Sequence, residues 1–217
     1  DCAAVYQLVN TIKPDWIFHL AAYGVYPTQT SLDEMFETNI RGTENLVDAA
    51  LQVGCEAFAQ AGSSLEYGAK DHAPNEDETC DPTTDYGLTK LSATLYTRAR
   101  ATINDANMTT LRLYSVYGPW EAPTRLIPTL IDHGLRGKLP PLAKPDNARD
   151  FVHVDDVCSA FIAAAEKSKG AQIYNIGTGV QTILRDVVAT GKRLMDVDAE
   201  PVWNTSDNRP WDTSVWV

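Results

Sequence analysis

Short apolar runs alternate with helix-length stretches over the first 113 residues, and that rhythm leaves few folds open. Trp16-Ile17-Phe18-His19-Leu20, entered through Pro14-Asp15, has the length and apolar content of a buried strand. From about Asp33 to Val53, residues Met35, Ile40, Leu46, Val47 and Leu51 fall on one helical face, and Gly54 is placed to end the helix. A strand over Ala57 to Ala61, running out at Gly62-Ser63-Ser64, precedes a Pro-, Asp-, Glu- and Thr-rich loop over residues 69–85. A helix from Tyr86 to about Ile103 and a strand from Thr109 to Tyr114 follow. Strand and helix alternating at this spacing build βαβ units on a parallel sheet. Beyond Tyr114 the rhythm breaks into a Gly- and Pro-rich segment with one expected helix, about Arg125 to Leu135. It resumes with Arg149 to Val154, Asp156 to Lys167 and Ala171 to Ile176, and the chain end reads as irregular. The expected fold is α/β, a doubly wound parallel sheet interrupted and followed by pieces of a smaller lobe.

Composition narrows the class. Of the 217 residues, 44% are hydrophobic and 22% charged, ordinary for a globular core. The net charge of −11 makes a general nucleic-acid binder improbable on physical grounds, because phosphate contacts need a basic face. No run of apolar residues reaches the roughly 18 that a membrane span needs. Cys2, Cys55, Cys80 and Cys158 form no CxxC pair, and free thiols suit a reducing cytoplasm. No metal-ligand spacing is present, and His19 and His153 read as packing or loop residues. The chain opens on Asp1 without a signal-peptide pattern, so it is expected to be a piece of a longer protein.

Chemistry concentrates in two places. Tyr86-Gly87-Leu88-Thr89-Lys90 sets a phenol and an ammonium four residues apart on one helix face. An ammonium beside a phenol favours phenolate, and each unit of lowering is about 1.4 kcal/mol toward acid–base work near neutral pH. The pair alone is weak, since Tyr-x-x-x-Lys occurs by chance on many helices. Gly62-Ser63-Ser64-Leu65-Glu66-Tyr67-Gly68 adds hydroxyls at the carboxyl end of an expected strand, where open parallel sheets place their sites.

With these motifs the sequence resembles the extended short-chain dehydrogenases/reductases, the NAD-dependent nucleotide-sugar epimerase/dehydratases of the UDP-glucose 4-epimerase type. His19-Leu20-Ala21-Ala22 resembles the family's loop against the cofactor, and Asn39-Ile40-Arg41-Gly42-Thr43 its Asn-x-x-Gly-Thr helix. Ser63 stands four before Tyr67-Gly68, as the family's catalytic Ser/Thr does. Leu111 to Pro119, Arg149 to Asp156 and Tyr174 to Gly179 resemble three further signatures in order. The resemblance implies Ser63, Tyr86 and Lys90 as catalytic residues. It implies Leu20, Ala21, Ala22, Asn39, Tyr86, Lys90 and Tyr114 at the cofactor, NAD or NADP. It implies Ser64, Ser115, Arg125, Arg149 and Arg209 at a nucleotide-diphosphate sugar, the arginines supplying the local field that a net charge of −11 withholds. It further implies a Rossmann-like core over 1–116 and 155–177, a substrate lobe over 117–154 and 178–217, and a homodimer.

The family's Gly-x-x-Gly-x-x-Gly turn does not occur in these residues. Asp1 is expected to align after the family's first three strands, which leaves Trp16–Leu20 at a sheet edge. The isolated 217 residues are then expected to aggregate or fold loosely and to bind NAD too weakly to measure. Among the family's reactions, a 4,6-dehydratase needs acidic residues just after the catalytic Ser/Thr, and here those positions hold Ser64 and Leu65. Glu66 comes one place later and, on strand alternation, would point to the other side. Epimerase is the favoured reading and 4-ketoreductase the alternative. A non-catalytic dinucleotide-sensing or scaffold protein on the same fold is the alternative of another class, though such proteins typically lose the Tyr or the Lys.

Overall fold

The computed structural model describes residues 2–26, 28–206 and 215–216. In chain order the elements are α1 (Cys2–Ile12), β1 (Trp16–His19), α2 (Leu32–Met35), a π-turn (Phe36–Arg41), α3 (Gly42–Val53) and β2 (Ala57–Ser63). A 3₁₀ turn (Ser64–Tyr67), α4 (Asp85–Asn104), β3 (Met108–Leu113), β4 (Ser115–Tyr117) and α5 (Leu126–Gly134) come next. The chain continues through β5 (Ala148–His153), α6 (Val154–Lys167), β6 (Ala171–Ile176), β7 (Gln181–Ile183) and α7 (Leu184–Met195).

The chain divides into two compact units, residues 1–69, 75–113 and 158–176 in one and 70–74, 114–157 and 177–217 in the other. In the first, β1, β2, β3 and β6 pair in that order and all in parallel. β2 is buried along nearly its whole length, as a strand covered on both faces must be. Val47 and Ala50 of α3, Phe58 of β2, Ala101 of α4 and Met108 of β3 form the core between helices and sheet. Fully burying each of the larger side chains contributes about 1.5–3 kcal/mol. α3 ends at Gly54 in the left-handed conformation (φ 72°), the position from which the sequence stops it. In the second unit β4 and β5 run parallel, β7 joins β5 antiparallel, and Leu130, Leu142, Leu184 and Val188 form a separate core.

Three expectations need correction. The helix expected over 33–53 begins one residue earlier, where Ser31 accepts from the Glu34 amide, and is interrupted by the π-turn at Phe36–Arg41. The stretch before Trp16, to which the sequence reading assigned no element, is a helix, α1. The chain end expected to be irregular contains β7 and α7; α7 lacks a side-chain N-cap and carries Thr190 and Gly191, so its propensity is poor and burial of Leu184 and Val188 decides it. Ser64–Tyr67 is a 3₁₀ turn rather than strand, so alternation does not govern where Glu66 points.

Candidate active site

The carboxyl ends of β1 and β2 and the start of α4 carry the first unit's candidate residues. Thr84 caps α4 by accepting from the Gly87 amide at 3.0 Å. Gly87 lets the helix start lie against the 3₁₀ turn: a Cβ there would stand 2.5 Å from the Leu65 carbonyl oxygen. Tyr86 is half-buried, and the loop after β1 reaches it at Gly24, where a Cβ would lie 3.1 Å from its ring.

Asn39 sits in the π-turn, completely buried, with its amide fully used. Its Oδ1 accepts from the Tyr23 amide (2.8 Å), and its Nδ2 donates to the Tyr23 carbonyl (2.8 Å) and to Thr89 Oγ1 (2.9 Å). The extra residue of the π-turn thus ties the Leu20–Tyr23 loop to α4; such bulges recur at functional sites. Leu20 and Ala21 on that loop are exposed and Ala22 is half-buried.

Lys90 is 3% exposed and makes no hydrogen bond or ion pair among the described residues. Burial pushes its pKa below the ordinary lysine value, against a smaller upward pull from the Glu66 carboxylate. His19 is buried nearby, and burial together with the Lys90 charge lowers its pKa to about 4. Thr43 donates its hydroxyl hydrogen to the Asn39 carbonyl at 2.7 Å, so its Oγ1 accepts from His19 at 2.9 Å and the imidazole proton sits on Nε2.

Ser63 ends β2 and caps the 3₁₀ turn: its Oγ accepts from the Leu65 amide at 3.2 Å. Its own amide donates to Glu66 Oε1 at 2.8 Å, closing a capping box. Ser64 is buried beside it. Glu66 is completely buried; Oε1 also accepts from Thr94 Oγ1 (3.1 Å), and Oε2 pairs with Arg112 Nε (2.9 Å). Arg112 in turn donates to the Tyr67 hydroxyl (2.8 Å), the Glu76 carbonyl (3.3 Å) and Cys80 Sγ (3.2 Å). Glu66 therefore does not point away from the site's turn; it lies beneath Ser63. Ser63-x-x-Glu66 is the spacing of a capping box, the signal in the sequence that could have revealed it.

The second unit holds the remaining candidates. Tyr114 is half-buried with its ring against Gly177, and Ser115 pairs in register with Phe151. Arg125, at the start of α5, donates to Glu121 at 3.2 Å. Arg149 on β5 donates to the Ala148 carbonyl and places its guanidinium 4.8 Å from the Trp216 ring centroid. Arg209 lies outside the described residues. No helix among the described residues is long and apolar enough to cross a membrane.

The sequence profile of the NAD dependent epimerase/dehydratase family matches residues 1–177. The chain belongs to that family. Low-salt glycan biosynthesis protein Agl12 of Haloferax volcanii is 32% identical over 146 residues, 66% of this chain and 47% of that protein. The dTDP-glucose 4,6-dehydratase of Streptomyces griseus is 31% identical over 178 residues, 80% of this chain and 54% of that protein. The chain thus spans about half the length of these curated relatives. Among solved structures, MoeE5 in complex with UDP-glucose and NAD superposes with a TM-score of 0.86 at 33% identity, over 98% of this chain and 71% of that one. UDP-glucose 4-epimerase from Thermotoga maritima gives 0.86 at 25% identity, over 100% of this chain and 72% of that one.

Proposed function

We propose that this chain carries the catalytic part of an NAD-dependent nucleotide-sugar epimerase that inverts the sugar C4 by transient oxidation. The donor set fits the nicotinamide-ribose end of a dinucleotide. Lys90, a lysine 3% exposed, makes no hydrogen bond to protein among the described residues and stands four residues after Tyr86, at the carboxyl end of a parallel sheet. That observation carries the reading, because an ammonium whose donors no protein group takes up is available to hydrogen-bond a ligand. The small Ala21 and Ala22 line the loop that Asn39 fixes, leaving its backbone approachable.

NAD, when bound, supplies the hydride acceptor and donor. Tyr86 takes the proton from the sugar 4-hydroxyl as C4 is oxidised and returns it to the same oxygen when hydride comes back to the opposite face of C4. Lys90 holds the phenolate electrostatically and donates to ribose hydroxyls. Ser63 donates to the sugar oxygen and fixes its position. Arg149 and Arg125 bind the diphosphate, and Ser64 and Ser115 the sugar. Dehydration across C5 and C6 is disfavoured twice over: Ser64 and Leu65 bring no carboxylate, and Glu66 is locked by Ser63, Thr94 and Arg112.

A homodimer is supported by α4, where Leu88 and Leu95, two turns apart, stay 44% and 52% exposed. No disulfide joins Cys2, Cys55, Cys80 and Cys158, which fits a reducing cytoplasm. The test is full-length protein with NAD and a panel of nucleotide sugars, read for products by NMR. A C4 epimer is expected. A 4-keto-6-deoxy sugar, or product formed only from a 4-keto substrate with reduced cofactor, would overturn the reading.

A further inference from the structure

We propose that Glu66 is a positioning residue of this site: held by Arg112, its carboxylate fixes the Ser63 main chain and supplies the negative counter-charge for Lys90. The inference rests on the catalytic reading of Ser63, Tyr86 and Lys90 given above. Glu66 has no exposed surface, and a carboxylate so placed is costly to bury and persists only when both oxygens are hydrogen-bonded. Glu66 meets that condition through three donors from three places: the Ser63 amide at 2.8 Å, Thr94 Oγ1 of α4 at 3.1 Å and Arg112 Nε of β3 at 2.9 Å. The first of these fixes the residue that ends β2 and turns its hydroxyl toward the 3₁₀ turn. The second joins that turn to α4 one helical turn beyond Lys90.

Gly62 shows how closely the carboxylate is fitted. A Cβ at Gly62 would lie 2.8 Å from Glu66 Oε1 and 3.2 Å from Arg112 Cγ, so the strand leaves room for the pair only by carrying glycine. Arg112 reaches on to Tyr67, Glu76 and Cys80, which anchors the pair from the far side.

Charges around Lys90 are few. His19 of β1 is neutral near pH 7, since its pKa is lowered to about 4. The π-turn offers Asn39, which is uncharged, and α4 itself offers Tyr86. Arg112 of β3 is engaged by Glu66. Glu66 is the one acidic group that raises Lys90's affinity for its proton among the described residues, opposing desolvation. Removing that charge therefore moves the ammonium's titration to lower pH. A merely structural ion pair, by contrast, would affect folding and leave the titration in place.

The test uses full-length protein labelled with [13Cε]lysine, the Lys90 signal being assigned by its loss in Lys90→Met. Glu66→Gln alone strands Arg112, so Glu66→Gln is combined with Arg112→Gln to remove both charges together. In the folded double variant the Lys90 midpoint should fall by about half a pH unit or more. Glu66→Asp keeps the charge but is too short to reach Ser63 and Arg112 together. Its Lys90 midpoint should stay near wild type while kcat falls about 10-fold, with KM changed by less than about 3-fold. An unmoved midpoint in the folded double variant overturns the counter-charge, and an unchanged kcat in Glu66→Asp overturns the positioning. The NMR titration judges Glu66 without turnover, so a wild type lacking epimerase activity would sink the proposed function and leave this arm decisive.

Discussion

Burial lowers the pKa of both Lys90 and His19, and both effects are visible in solution. Lys90 is buried without a hydrogen bond to protein among the described residues, and the Glu66 charge offsets only part of its desolvation cost. Lys90→Met should raise the melting temperature of full-length protein by a few degrees while abolishing turnover, the trade expected where function holds a destabilising group in place. A lowered melting temperature would mean that the ammonium is satisfied in the folded chain. His19 has a folded-state pKa of about 4, below the free value of 6.5. Above pH 6.5 it is neutral in both folded and unfolded chains and costs nothing. As pH falls from 6.5 toward 4 the unfolded chain takes up the proton first, so stability is lost across that window, by about 3 kcal/mol at most. In urea melts between pH 7.5 and 4.5, His19→Asn should lose visibly less stability than wild type. Parallel losses would contradict the buried, neutral imidazole.

At the scale of elements, the sheet was legible because its strands are short apolar runs bounded by turn residues. Ala171 to Ile176 coincides with β6, and β2 and β3 differ from expectation by a residue or two. The elements that escaped reading are those decided by tertiary contacts. The π-turn has no local signature, because it exists to bring Asn39 onto Tyr23 and Thr89. α7 has weak propensity and is held by Leu130 and Leu142. Tyr86 and Lys90 gained weight as candidates only from the motifs around their spacing, whereas the Glu66–Arg112 pair joins residues 46 apart, and only its capping-box half was written locally. Gly87 is a sharp test of how α4 meets the 3₁₀ turn. Gly87→Val puts a branched side chain on the Leu65 carbonyl and should destabilise by about 1–3 kcal/mol, with Tyr86 displaced and kcat reduced. Stability within a few tenths of a kcal/mol of wild type would contradict that packing.

For the whole molecule, the residues proposed for the site fall in both units: Ser63, Tyr86 and Lys90 in one, and Tyr114, Ser115, Arg125 and Arg149 in the other. Assembly is tested on α4, whose Leu95 is 52% exposed. Leu95→Glu should convert a homodimer to a monomer in light scattering at micromolar concentration, and a wild-type mass already monomeric would end that proposal. The reaction itself is tested most directly in heavy water. Full-length protein with NAD and a UDP-hexose in D2O should yield the C4 epimer with its C4 hydrogen retained, because the hydride returns without exchange, and Tyr86→Phe should slow this about 10²-fold or more. Deuterium at C4 of the product, or a 4-keto-6-deoxy product carrying deuterium, would contradict transient oxidation and return at C4 by Ser63, Tyr86 and Lys90.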